Sequence, residues 1–229
     1  MRPTNSYPHW IGAGASSVVY CTAPDRVVKC CRPGELGGIE QEHSILERLG
    51  EHPLIIKSFG WSGVGQLTLE YQPHELRNVL LSGKHIHREK WALQITEALV
   101  YVHANNVIHR DLNSRNIRIQ TSEDIVLCDF AGSSLDGHTQ TGVRGEVRFC
   151  RLPYHSMATV QDDLFALGSV LYELSTGSVP YATLKDEEVI RRYSAKRFPP
   201  VGHLPMGKII TNCWNDSYQG TSEVLFDLV

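Results

Sequence analysis

The 229 residues are enough for one sizeable domain, or for one domain divided into two lobes. Hydrophobic residues make up 41% and charged residues 21%, ordinary for a globular chain, and 22 Lys and Arg against 25 Asp and Glu leave a net charge of −3. No basic face is implied, so nucleic acid is not expected as the main partner.

From the N-terminus, Trp10 to Thr22 carries Gly12-x-Gly14 and then the β-prone run Val18 to Thr22. The glycines therefore join strand to strand, whereas a dinucleotide fingerprint would open a helix. After a turn at Pro24-Asp25, Arg26 to Cys31 reads as the next strand, with Lys29 alternating with apolar neighbours. Gly37-Gly38 opens a predicted helix from Ile39 to Leu49, closed by Gly50, with Ile45, Leu46 and Leu49 as its apolar stripe. Leu54 to Gly60 and Gln66 to Tyr71 read as two further strands. The pattern then turns helical over Leu76 to Leu81 and Arg88 to Asn105, where Trp91, Ala92, Ile95, Ala98, Leu99 and Val102 recur at helical spacing.

The stretch from Val107 to Asp129 is the centre of the chain. His109-Arg110-Asp111-Leu112-Asn113-Ser114-Arg115-Asn116 leads into Ile117-Arg118-Ile119, a polar turn, Ile125 to Cys128, and Asp129-Phe130. The two short apolar runs suit a hairpin, whose folding back brings Asp111, Asn116 and Asp129 to one mouth. One carboxylate beside an Asn–Asp pair suits a hydroxyl nucleophile next to a divalent cation. Residues 131–149 are rich in Gly, Ser and Thr without an apolar period, as in a long functional or disordered loop. Asp163 to Leu174 is apolar nearly all round and marks a buried central helix, while Val189 to Arg197, Lys208 to Trp214 and Thr221 to Leu228 read as smaller helices.

The six cysteines form no Cys-x-x-Cys pair and no cluster with histidine, so reduced thiols in a cytosolic compartment are expected. The first residues have no apolar targeting core, and the run Leu164 to Tyr172 is too short to span a bilayer. The expectation is a soluble cytoplasmic protein, nuclear access left open, with no membrane partner.

The motifs together resemble the protein kinase catalytic core: His-Arg-Asp-Leu with Asn five residues after the Asp, then Asp-Phe heading a Gly/Ser-rich segment. Cys213-Trp214 resembles a landmark near the end of the same core. The resemblance implies an α+β, two-lobed fold over residues 1–229. Residues 1–71 would form a small antiparallel lobe with one helix, and 72–229 the hinge and a larger helical lobe, with an activation segment over about 129–153. It implies ATP and Mg²⁺ as cofactors and a protein substrate, with the chain acting as a monomer. Asp111 would orient the substrate hydroxyl, Asn116 and Asp129 would hold the metal, and Lys29 would position the phosphates, itself held by Glu42. Glu40 is the alternative partner of Lys29, and Glu47 is expected in solvent. The flap Ile11, Gly12, Ala13, Gly14, Ala15, Ser16 and Ser17 would cover the phosphates, Val19 and Val27 would meet the base, and the backbone at Glu70 and Gln72 would bind its edge. Asp163 would cap the catalytic loop, and Arg110 would pair with a phosphate on Thr139 or Thr141.

The chain departs from the pattern at Ser17 (third flap glycine), Ala131 (the Gly after Asp-Phe), Asn113 (a lysine in serine/threonine kinases) and Arg118 (an apolar support of the base). Arg115 stands where many tyrosine kinases place an arginine, so residue specificity stays open, with serine/threonine the default. Tyr154 replaces the glutamate of Ala-Pro-Glu and Thr221 the arginine that pairs with it; losing only one would strand a buried charge, so the joint loss reads as a consistent variant. Two other readings stand beside an active protein kinase: a nucleotide-binding pseudokinase scaffold, and a small-molecule kinase of similar fold.

Overall fold

Short runs rich in β-branched residues, broken by glycine and Pro-Asp turns, pair into an antiparallel sheet at the N-terminal end. The computed structural model describes residues 8–14, 17–83, 87–138, 145–154 and 157–229. The sheet holds β1 (His9–Ala13), β2 (Ser17–Ala23), β3 (Arg26–Cys31), β4 (Ser58–Trp61) and β5 (Gln66–Glu70), in the spatial order β1-β2-β3-β5-β4. Register sets Lys29 opposite Val19 on one side and Leu67 on the other. Helix α1 (Leu36–Leu49) packs against this sheet and buries Ile39, Ile45, Leu46 and Leu49.

Two expectations change here. Gly37 and Gly38 lie inside the first turn of α1 rather than ahead of it. Glycine weakens a helix without forbidding it, and the packing of Ile39 decides the boundary. The expected strand from Leu54 to Gly60 is split, with β4 starting at Ser58. Leu54, Ile55 and Ile56 are all buried, so no face alternates. They bond across to the second lobe: Ile56 N–H donates to Leu127 O at 2.9 Å, and Leu127 N–H to Leu54 O at 2.8 Å.

Beyond Glu70 the chain is mainly helical. A short strand β6 (His74–Glu75) precedes α2 (Leu76–Ser82) and α3 (Arg88–Ala104). Strand β7 (Val107–Ile108) follows, then the hairpin β8 (Ile117–Ile119) and β9 (Ile125–Leu127), and β10 (Ser134–Leu135), which pairs with β7. After a 3₁₀ turn at Val147–Phe149 come α4 (Val160–Thr176), α5 (Asp186–Ser194), α6 (Gly207–Trp214) and α7 (Thr221–Leu228). Helix α4 is buried nearly all round, as its sequence predicts, but begins earlier because Thr159 and Asp162 form a capping box. Helix α5 also begins early, on Asp186-Glu187-Glu188, acids that complement a helix N-terminus. It ends before Arg197, with Lys196 in the left-handed region at φ 50°.

A sheet with one helix, followed by a helical body, gives the expected α+β two-lobed architecture. None of the six cysteines is in a disulfide. No helix among the described residues is long and apolar enough to cross a membrane.

Candidate active site

The hairpin of β8 and β9 assembles the site. Ile117 pairs with Leu127, and Cys128 N–H donates to Asn116 O at 2.9 Å, so Asn116 and Asp129 leave the hairpin's open end side by side. The loop before β8 carries Asp111, whose carboxylate accepts from the Asn116 amide at 2.9 Å. The three side chains predicted to share one mouth do so.

Lys29 reaches this mouth from β3. It is 6% exposed, and its Nζ donates to Glu42 Oε2 and to Asp129 Oδ1, each at 2.6 Å. Burial alone would lower its pKa, but the two carboxylates override that and hold the ammonium well above its ordinary range. Glu42 lies fully buried on α1, and its other oxygen accepts Phe130 N–H at 3.1 Å. Burial presses its carboxyl upward while Lys29 pulls it back. Asp129 is pressed the same way by burial, yet the Lys29 ammonium holds it below the usual carboxylate range. Glu40 and Glu47, the other candidates on α1, are exposed.

Asp111 has its pKa raised, first by burial, with His109 and the two asparagine amides opposing. Fully buried His109 packs its ring 4.9 Å from that of Phe130 and bonds through Nε2 to Cys128 O at 3.1 Å. Asp163 of α4 holds the loop from behind: its carboxylate accepts the N–H groups of His109 (2.7 Å) and Arg110 (2.8 Å) and bonds His103 Nε2 (2.8 Å). Burial presses Asp163 upward, but these bonds keep its carboxyl below the ordinary range. Arg110 and Asp129 both take left-handed backbone, at φ 66° and 67°, a strain that such a network over-determines.

Gly12 lies in β1, where an added Cβ would meet nothing within 4 Å. Ser17 is buried in β2, and Gly14 N–H donates to Ser17 O at 2.9 Å. Ile11, Ala13, Val19 and Val27 lie on β1, β2 and β3 of the same lobe, whereas Ala15 and Ser16 fall outside the described residues. Glu70 ends β5 with its N–H on Lys57 O, and Gln72 lies in the link to β6, where its N–H donates to none of the described residues. Thr139 and Thr141 also fall outside the described residues; Arg110 Nη1 donates to Gly132 O at 3.2 Å.

A family model described as "Protein kinase domain" matches residues 8–217. The chain belongs to the protein kinase family. Among similar proteins are the mitogen-activated protein kinase kinase kinase dlk-1 of Caenorhabditis elegans and the serine/threonine-protein kinase RUNKEL of Arabidopsis thaliana. The first is 29% identical over 194 residues, covering 79% of this chain and 21% of that protein. The second is 29% identical over 213 residues, covering 83% of this chain and 15% of that protein. Mitogen-activated protein kinase kinase kinase 13 of Mus musculus is 27% identical over 197 residues, covering 79% of this chain and 20% of it. The kinase domain thus spans about a fifth or less of the length of these relatives.

Sequence reasoning missed several groups that shape the kinase site. Buried Arg77 on α2 donates through Nε to Ser114 Oγ (2.9 Å) and Glu173 (3.2 Å), and through Nη1 to Glu146 (2.7 Å). It ties the catalytic loop, α4 and the segment after residue 144 into one network. Gly145 lies so close to the loop that an added Cβ would stand 2.7 Å from Asp111 Oδ1. Arg118 alternates with buried Ile117 and Ile119, and its Nη2 lies 3.7 Å from Glu75 Oε2. Where the Glu–Arg pair is lost, Thr221 is buried and its Oγ1 bonds His103 Nδ1 at 3.1 Å.

Proposed function

We propose that this kinase domain transfers the γ-phosphate of ATP to a serine or threonine hydroxyl of a protein substrate. The observation that carries the reading is Lys29 Nζ, buried and held at 2.6 Å from both Glu42 and Asp129. Three charges from three separate elements converge beside Asp111 and Asn116, a layout suited to phosphoryl transfer.

The donor set fits Mg²⁺. Asn116 commits its N–H₂ group to Asp111, and its Oδ1 accepts from none of the described residues. The Asp129 side chain as a whole is 44% exposed. Two hard oxygens suit an ion that keeps most of its waters and takes one or two protein ligands alongside phosphate oxygens. Bound there, the ion supplies charge neutralisation for the phosphates. Lys29 would orient them, the backbone of Gly12 to Ser17 would cover them, and the Gln72 N–H is available to a base edge. Asp111, held between two amides, would accept the hydroxyl proton. Burial raises its pKa, in the direction that strengthens it as a base. The serine/threonine assignment is supported by the names of relatives such as RUNKEL. We place the protein in the cytoplasm as a monomer whose partner is its protein substrate.

Purified protein incubated with Mg²⁺, labelled ATP and generic protein substrates tests the reading. Label on serine or threonine, abolished by Asp111→Asn, is the expected result. Nucleotide binding without transfer would replace it with a pseudokinase scaffold, and label confined to sugars or amines with a small-molecule kinase.

A further inference from the structure

We infer that Asn113 is a positioning residue for the Asp111 carboxylate. It stands where the serine/threonine kinase pattern has a lysine, and the structure gives it a different task. Asn113 is 4% exposed, so it does not reach toward a substrate. Its Nδ2 donates to Asp111 O at 2.9 Å and to Asp111 Oδ1 at 3.0 Å, and its Oδ1 accepts Arg115 N–H at 2.9 Å. Asn116 treats the other side alike, with Nδ2 donating to Asp111 O at 2.7 Å and to Oδ2 at 2.9 Å. Each carboxylate oxygen is therefore gripped by a different amide, and both amides are anchored on the same backbone carbonyl. One such grip leaves the carboxylate a broad, roughly two-fold torsion; two fix it. A neutral amide achieves this without setting a cation against the base. The exposed residue left to face a transferred phosphate is Arg115, whose backbone the same amide holds.

This role rests on the phosphotransfer reading above, and the test separates the two. Asn113→Ser keeps an oxygen that can accept Arg115 N–H but loses the reach to Asp111 Oδ1. The expected result is a fall in kcat of roughly tenfold or more, with KM for ATP, KM for the protein substrate and the melting midpoint unchanged. Asn113→Asp loses both donors and sets a carboxylate oxygen against Asp111 O and Oδ1, so it is expected to lower kcat further and to lower the melting midpoint as well. Unchanged kcat in both, or a fall matched by a rise in KM for ATP, would overturn the role. Crystal structures of the parent and Asn113→Ser proteins give a reading independent of activity. Asp111 in more than one rotamer in the variant supports the inference, and a single native rotamer refutes it. Absence of transfer by the parent would sink the phosphotransfer proposal alone.

Discussion

Arg151 grips Asp216 with two parallel hydrogen bonds, Nε to Oδ1 at 2.8 Å and Nη2 to Oδ2 at 3.1 Å, across 65 residues of sequence. The first lies just before Leu152-Pro153-Tyr154 and the second just after α6, in the two regions that have lost the family's Glu–Arg pair. The pair joins these two regions with the cation on the Arg151 side and the carboxylate on the Asp216 side. Both groups are partly exposed, and solvent screening keeps the interaction near 1 kcal/mol even with bidentate geometry. A double-mutant cycle in urea with Arg151→Ala and Asp216→Ala should return a coupling of about that size. The exchange Arg151→Asp with Asp216→Arg should recover only part of it. Asp162 lies 3.9 Å from Arg151 and would repel the introduced carboxylate.

Replacing Lys29 leaves Glu42 fully buried without its cation. Lys29→Met is expected to cost about 3 kcal/mol near neutral pH, in the range for breaking a buried pair from one side. The sign of its pH dependence follows from the carboxyl. Without the ammonium, the folded pKa of Glu42 stands further above its unfolded value, so the variant loses stability as pH rises. Chemical denaturation from about pH 4 upward should show the gap between parent and variant widening. A gap that narrows over that range would mean that Glu42 is not the stranded charge.

Asp163 has the opposite sign. Its folded pKa is held below the ordinary value, so its contribution is full above the unfolded carboxylate pKa and is lost as pH falls through the folded one. Asp163→Asn keeps one acceptor oxygen and sets an amide N–H₂ against either the His109 or the Arg110 N–H, at an expected cost of about 2 kcal/mol at neutral pH. The difference should shrink on acidification below about pH 4. Hydrogen exchange at the amides of His109 and Arg110 should rise in the variant before global unfolding does.

Gly145→Ala tests the closeness of the segment after residue 144 to the catalytic loop. The added methyl would stand 2.7 Å from Asp111 Oδ1 and 3.4 Å from Arg110 O. Stability should change little because the site is partly open, while kcat should fall on the order of tenfold as Asp111 is displaced. An alanine variant with parental kcat would show that the segment yields instead.

What the sequence disclosed about this site came from local spacing. Asn116 and Asp129 flank one hairpin, so the β8–β9 pairing sets their relation, and Asp111 lies only five residues before Asn116. Lys29 and Glu42 were readable because a strand lysine with apolar neighbours and a helix-edge glutamate both point inward. Arg77, Glu146 and Glu173 gave no such signal. Each looks like a solvated charge on its own segment, and only tertiary packing makes them one network. Asn113 was visible as a departure, but its hydrogen bonds depend on the Asp111 rotamer, which no spacing encodes. The split of the strand at Leu54 was hidden for another reason: three consecutive apolar residues look alike whether they sit in one sheet or between two.

Those three residues also join the two lobes. With Leu54 and Ile56 laced to Leu127, the small lobe is fastened to the large one at a second point besides the linker at Tyr71 to Pro73. Lys29 on Asp129 and Glu42 on the Phe130 N–H add ties within three positions of Leu127, so these links between the lobes are gathered at the end of β9.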